Sequence, residues 1–275
     1  MSLYDFRSVV ETAIEARGGK TDPAAYVAIN PSTVTTRAQI SFKPEGARGP
    51  FLAFGLVANR TTVIEPSRLS IVVGETRLIT ESPTMRNSIA HDATLPDLSG
   101  IVLSRWPAPL FVGSGKSVTQ SETLAQAAGT LASTSYMLAG FHTDQDSAEW
   151  ARRFFGEVRF FGFDVNPVFA TQAGNATGRF TTTEALDLIE YNALSIDSTG
   201  ALDFIRATLE GRQLFQADRT AGTLSAILPT RLGLPSSYLG RRAEAGHTLI
   251  VQERVASAQR IDAFSVLAIQ GRADT

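Results

Sequence analysis

A ten-residue pattern recurs half a chain length apart, and it narrows what the chain can fold into. Leu69–Leu78 reads LSIVVGETRL, and Ile205–Leu214 reads IRATLEGRQL, 136 positions later in a chain of 275. Each copy joins an apolar or alternating run to a two-residue reversal, Gly74-Glu75 or Glu210-Gly211, and an Arg-bearing return that ends in Leu. Alternation puts successive side chains on opposite faces of a strand, and a short Gly-containing loop suits the twist of paired strands. Both stretches therefore read as β-hairpins, and their spacing implies a duplicated β-domain.

Other landmarks recur in the same order. Gly115–Ala125 (GKSVTQSETLA) sets against Gly246–Ala256 (GHTLIVQERVA) at an offset of 131, and Met137-Leu138-Ala139 against Val266-Leu267-Ala268 at 129. Upstream of the hairpins, Phe54–Ser70 and Ile189–Ala207 each carry a strand-like run with an Asn, Asn59 and Asn192. The small drift in offset is what loop-length changes between diverged copies produce.

The length suffices for one large or two ordinary domains. Apolar residues make up 43% and charged residues 19%, with a formal net charge of −2, which argues against nucleic-acid binding driven by bulk charge. The absence of Cys removes disulfides, thiolate metal sites and thiol nucleophiles. No apolar run is long enough to span a membrane as a helix, and the N-terminus has no basic segment followed by an apolar one. Asn59-Arg60-Thr61 and Asn175-Ala176-Thr177 match the glycosylation triplet, which without an export signal reads as coincidence.

Along the chain, Leu3, Phe6, Val9, Val10, Ala13 and Ile14 have the spacing of one helical face, with Ser2 as cap and Gly18-Gly19 as stop. The helix Ser2–Arg17 is expected either to pack on its own domain or a neighbouring subunit, or to lie against a membrane surface. Thr21–Pro50 reads as loop with one strand, Thr35–Phe42; Phe51–Leu78 supplies the first strands. Glu81–Pro109, with four prolines, reads as a long excursion, and Val112–Gln126 and Thr134–Phe141 complete the first β unit. Asp144–Phe155 reads as a short connecting helix capped by Asp146 or Ser147, and the Phe-rich run Phe154–Phe169 as a wedge between domains. Ala170–Gly178 reads as a small-residue loop. Thr181–Ser195 and Phe204–Gln216 are the second set of strands, Leu224–Leu239 a Pro-punctuated crossing, and Thr248–Arg254 and Ala263–Gln270 the closing strands. Many short strands with long crossings and few helices define an all-β chain of sandwiches or barrels.

Candidate chemistry is sparse. Gly113-Ser114-Gly115-Lys116-Ser117 has a phosphate-loop flavour, but Leu110 stands where the Walker pattern requires Gly, so it reads as a surface turn entering a strand. His91, His142 and His247 show no two-residue ligand spacing; His142 and His247 read as polar positions at strand ends. No Gly-x-Ser-x-Gly elbow exists, and the acid pairs Asp144/Asp146 and Asp187/Glu190 have no separation that a glycosidase would dictate. The expectation is no enzyme, no catalytic, metal or cofactor-binding residue and no cofactor. The alternatives are a tandem β-sandwich binding module, carbohydrate-binding or a phage tail or adhesion component, with Trp106 as its candidate platform, and a β-rich hydrolase whose site assembles from distant residues.

The hairpins Ser70–Leu78 and Ala207–Leu214, together with Ala151-Arg152-Arg153-Phe154-Phe155 leading to the strand Leu186–Ile196, resemble the double jelly-roll major capsid proteins of membrane-containing icosahedral bacteriophages, of corticovirus and tectivirus type. The resemblance covers most of Thr35–Gln270 in pattern. It implies a helical arm at residues 1–34, a first jelly roll at 35–145, a connector helix with aromatic linker at 146–165 and a second jelly roll at 166–275. It also implies a structural virion protein, assembled in the host cytoplasm, whose pseudo-hexameric homotrimers tile an icosahedral shell over an internal membrane. Its partners would be neighbouring capsomers and, through the N-terminal helix, lipid or minor capsid proteins, with no sequence-specific nucleic acid. The chain departs from the pattern in having little room for tower insertions, which leaves outer decoration to Glu81–Pro109 or Leu224–Leu239.

Overall fold

In the computed structural model the described residues are 6–29, 37–60, 67–73, 76–82, 108–124, 134–166, 174–195, 202–218, 238–255 and 262–271. They form sixteen strands and two α-helices, an all-β chain in class. The chain divides into two compact units, unit 1 (residues 1–80, 88–159 and 269–275) and unit 2 (residues 81–87 and 160–268).

The first eight strands are β1 (Thr21–Ile29), β2 (Arg37–Phe42), β3 (Phe51–Arg60), β4 (Ser67–Val73), β5 (Thr76–Ser82), β6 (Leu110–Val112), β7 (Val118–Leu124) and β8 (Thr134–Thr143). One sheet has the order β1-β8-β3-β6, and the other four run β2-β7-β4-β5. The second eight are β9 (Glu157–Asn166), β10 (Gly174–Thr181), β11 (Leu186–Ser195), β12 (Leu202–Leu209), β13 (Arg212–Asp218), β14 (Tyr238–Ala243), β15 (Thr248–Val255) and β16 (Asp262–Gln270). They run β9-β16-β11-β14 and β10-β15-β12-β13. Counted by rank, both sets have the same order, 1-8-3-6 and 2-7-4-5. The sequence landmarks fall on strands of equal rank: the hairpins on ranks 4 and 5, GKSVTQSETLA and GHTLIVQERVA on rank 7, the Met-Leu-Ala and Val-Leu-Ala triplets on rank 8, and Asn59 and Asn192 on rank 3.

Unit 1 carries both helices, α1 (Phe6–Ala16) and α2 (Gln145–Phe155). They cover one face of the β1-β8-β3-β6 sheet: Val10 and Ile14 of α1 and Ala148 and Ala151 of α2 are buried with Leu52, Phe54 and Phe141. Because Leu52 and Phe141 are directly opposed in the ladder, their side chains stand on the same face, and Phe54 stacks on Phe141 with centroids 5.4 Å apart. A Cβ on Gly140 would collide with the Leu52 carbonyl oxygen, so this strand approach requires glycine. The helices run antiparallel: Phe6, in the first turn of α1, meets Phe155 at the end of α2 edge-on at 5.5 Å, while Arg17, just past α1, lies over Trp150 at 4.5 Å. The N-terminal helix thus packs on its own unit through Val10 and Ile14, whereas Val9 of the expected apolar stripe is exposed.

Several boundaries differ from expectation. Thr21–Ile29, read as loop, is strand β1, and Gly174–Gly178, also read as loop, belongs to strand β10; both are the edge strand of their sheet. An edge strand pairs on one side only, so Pro23 in β1 and Gly174 and Asn175 at the start of β10 cost little. The first strand set therefore begins at Thr21 and not at residue 35, and the second begins at Glu157, inside the segment expected to be an aromatic linker. Phe154 and Phe155 belong to α2, whereas the side chains of Phe160, Phe161 and Phe163 lie outside the described residues. The cap of α2 is Asp144, not Asp146 or Ser147: its carboxylate accepts from the Ser147 N–H and Oγ–H, both at 2.8 Å. Most of Glu81–Pro109 and Leu224–Leu239, His91 and Trp106 lie outside the described residues.

Candidate functional site

Positions singled out in the sequence are accounted for locally. Gly113–Lys116 is the β-turn between β6 and β7, closed by the Lys116 N–H on the Gly113 carbonyl at 3.0 Å, with Gly115 at φ 71°; a strand follows it, so no helix dipole faces a phosphate. The Ser114 hydroxyl donates to the Gly46 carbonyl at 2.7 Å and ties the turn to the 3-10 turn Gly46–Arg48 after β2. His247 ends the equivalent turn before β15: its N–H bonds the Glu244 carbonyl at 3.0 Å, and its Nδ1 accepts from the Glu244 N–H at 3.2 Å. Asp144 and Asp146 both serve the start of α2, and Asp187 lies on β11, whereas the side chain of Glu190 lies outside the described residues.

His142 is buried at the end of β8. Its Nδ1 faces the Gly49 carbonyl at 3.0 Å, and its Nε2 faces the Tyr26 hydroxyl at 2.6 Å. Because Gly49 offers only an acceptor, Nδ1 carries the proton, and Nε2 accepts from Tyr26, whose oxygen in turn accepts from the Glu45 N–H at 3.1 Å. Phe51 lies against the ring at 5.1 Å. Both imidazole nitrogens are committed to neighbours, so His142 fixes the loop after β2 to the sheet and leaves no nitrogen for a ligand.

A concave feature among the described residues of unit 1 is a cleft of about 420 Å³ beside α2. No sequence motif pointed to it, because its residues come from β6, α2, β9 and the end of β16. Glu157 is its buried centre: Oε1 accepts from the Phe111 N–H at 3.2 Å, and Oε2 lies 3.1 Å from Arg159 Nη1 and 3.5 Å from Arg152 Nε. Arg152 also lies over the Phe111 ring at 5.6 Å. On the helix side Glu149 accepts from the Gln145 amide at 2.7 Å. Arg153 lines the same cleft, exposed, with no bonded partner among the described residues. The i, i+4 spacing puts Gln145 and Glu149 on one helix face, and Arg152 and Arg153 extend it at the C-terminal turn, where cations suit the helix dipole. The arrangement is suited to holding an anion and has no nucleophile paired with a base.

No protein-family model matches the chain, and no curated protein matches it. Among solved structures, the ectodomain of ANX1 from Arabidopsis thaliana matches at 8% identity and a TM-score of 0.25, over 90% of this chain and 89% of that one. The dimeric latent PorU from Porphyromonas gingivalis matches at 11% identity and 0.22, over 86% of this chain and 24% of that one. The infectious bursal disease virus VP2 subviral particle matches at 9% identity and 0.14, over 91% and 81%. All three TM-scores are too low for a shared fold.

Proposed function

We propose that each unit is a jelly roll and that the chain is a structural subunit of an icosahedral viral shell. The observation that carries this reading is the nested pairing of ranks 1 with 8, 2 with 7, 3 with 6 and 4 with 5, found in both strand sets. That is the pairing produced when one long antiparallel hairpin wraps into two four-stranded layers, the eight-strand double Greek key used by capsid domains. Equal rank of the sequence landmarks in the two sets supports copying of one ancestral domain. Two rolls per chain give a homotrimer six similar wall elements, a pseudo-hexameric tile, whose lateral contacts would each bury on the order of 1,000 Å² or more. The reading assigns the chain a role through shape, with no catalysis.

The tandem binding module gains nothing from Trp150, whose ring already carries Arg17 over it and Phe154 stacked at 5.3 Å, so it is not a bare platform for sugar. Mass measurement in solution with negative-stain imaging tests the proposal. Trimers, or hexagonal capsomers assembling into closed particles, are expected; a monodisperse monomer at high protein concentration overturns it.

A further inference from the structure

We propose that the cleft beside α2 binds a monocarboxylate carried on an apolar body. The inference rests on the cleft alone and stands or falls independently of the capsid reading.

The acids in the cleft are already served: Glu157 by a backbone N–H and two guanidinium groups, Glu149 by the Gln145 amide. The arginines are not. Arg152 is engaged through Nε, which leaves its terminal nitrogens without a bonded partner among the described residues, and Arg153 has its whole donor fork open. The open capacity of these two arginines is of donor type, in the planar fork geometry that matches a carboxylate with two parallel bonds.

Charge selects among anions. Counted with Arg159, which pairs with Glu157, three guanidinium groups meet two carboxylates, a surplus of one positive charge that a singly charged carboxylate neutralises and a phosphate dianion overshoots. Volume selects the body. About 420 Å³ is far more than one carboxylate needs and falls within the range of small-molecule sites, and the Phe111 ring supplies an apolar wall.

Benzoate serves as the probe, with acetate and inorganic phosphate as controls at constant ionic strength, followed by calorimetric titration and by the amide resonances of Phe111 and Gly271. Benzoate is expected to saturate, at lower concentration than acetate or phosphate. Arg153→Ala should weaken it about tenfold, the scale of one charge-assisted pair. Arg153→Lys should fail to restore binding, because the fork is lost, and Glu149→Gln should tighten it. Arg153 is exposed and has no bonded partner among the described residues, so an unchanged unfolding midpoint would show that the variants remain folded. Benzoate that does not saturate, binding undiminished in Arg153→Ala, or phosphate binding more tightly than benzoate overturns the proposal.

Discussion

Units 1 and 2 share a strand order and differ in what covers it. Unit 1 lays α1 and α2 on the Leu52/Phe141 face of its β1-β8-β3-β6 sheet, whereas the described residues of unit 2 contain strands and turns with no helix. The strand order recurs although almost no side chain is shared between the copies, because nested pairing depends on alternation and turn position more than on residue identity. The helices, by contrast, depend on particular side chains. Val10, Ile14, Ala148 and Ala151 are buried only because the outward face of β3 and β8 is apolar.

The two hairpins sharpen the comparison. In unit 2 Glu210 and Gly211 have φ of 48° and 75°, positive at both central residues as the twist of paired strands demands. Glu210 also bonds the start of β15: its carboxylate accepts from the Thr248 N–H at 2.6 Å, and its own N–H donates to the Thr248 carbonyl at 3.2 Å. In unit 1 the corresponding pair is reversed to Gly74-Glu75 and lies outside the described residues, between β4 and β5.

The largest expected effect tests whether the helical layer matters to unit 1 as its packing implies. Phe141→Ala should cost about 3–5 kcal/mol, and Ile14→Ala about 2–5 kcal/mol. Hydrogen exchange should show the loss among amides of unit 1; equal loss across β10, β12 and β15 would break the distinction between units. Next, Gly211→Ala forces a Cβ into the left-handed region and should cost about 1–2 kcal/mol, read by the unfolding midpoint and by exchange in β12 and β13. An unchanged midpoint would mean that the hairpin can adopt another turn.

Asp144→Ala removes the α2 cap and should cost about 1 kcal/mol at neutral pH. The Ser147 N–H holds the Asp144 carboxylate below its ordinary range. A group whose folded value is depressed contributes stability above its unfolded value, near 3.9, and loses it as pH falls through the folded value. The gap between the parent and Asp144→Ala should therefore close on acidification below about pH 4, measured by denaturant titration at stepped pH; a gap that widens there would refute the assignment of the cap. The smallest effect belongs to the half-buried helix pair Arg7–Glu11, 3.1 Å apart, where Glu11→Gln should cost about 0.2–0.5 kcal/mol and less at high salt.

Much of this architecture could be read from residues near one another in sequence. The apolar face of α1, the Glu210-Gly211 reversal and the recurring landmarks are all local patterns, and each lands on an element of the expected kind. Strand β1 and the first part of β10, read as loops, lie in TDPAAYVAI and GNATGRFT, where proline, glycine and polar residues mask the period. Pairing with β8 and β15 makes them strands, and neither partner is adjacent in sequence. The cleft was invisible for the same reason.

By itself, then, the sequence determined the hairpins, the helix α1 and the order in which similar strands follow one another, since these arise from interactions across a few residues. The tertiary structure decided which edges accept an unpromising strand, that Asp144 and not its neighbours caps α2, and that Glu157 meets Phe111, Arg152 and Arg159. Those outcomes depend on partners far apart along the chain, and only the folded backbone sets such distances.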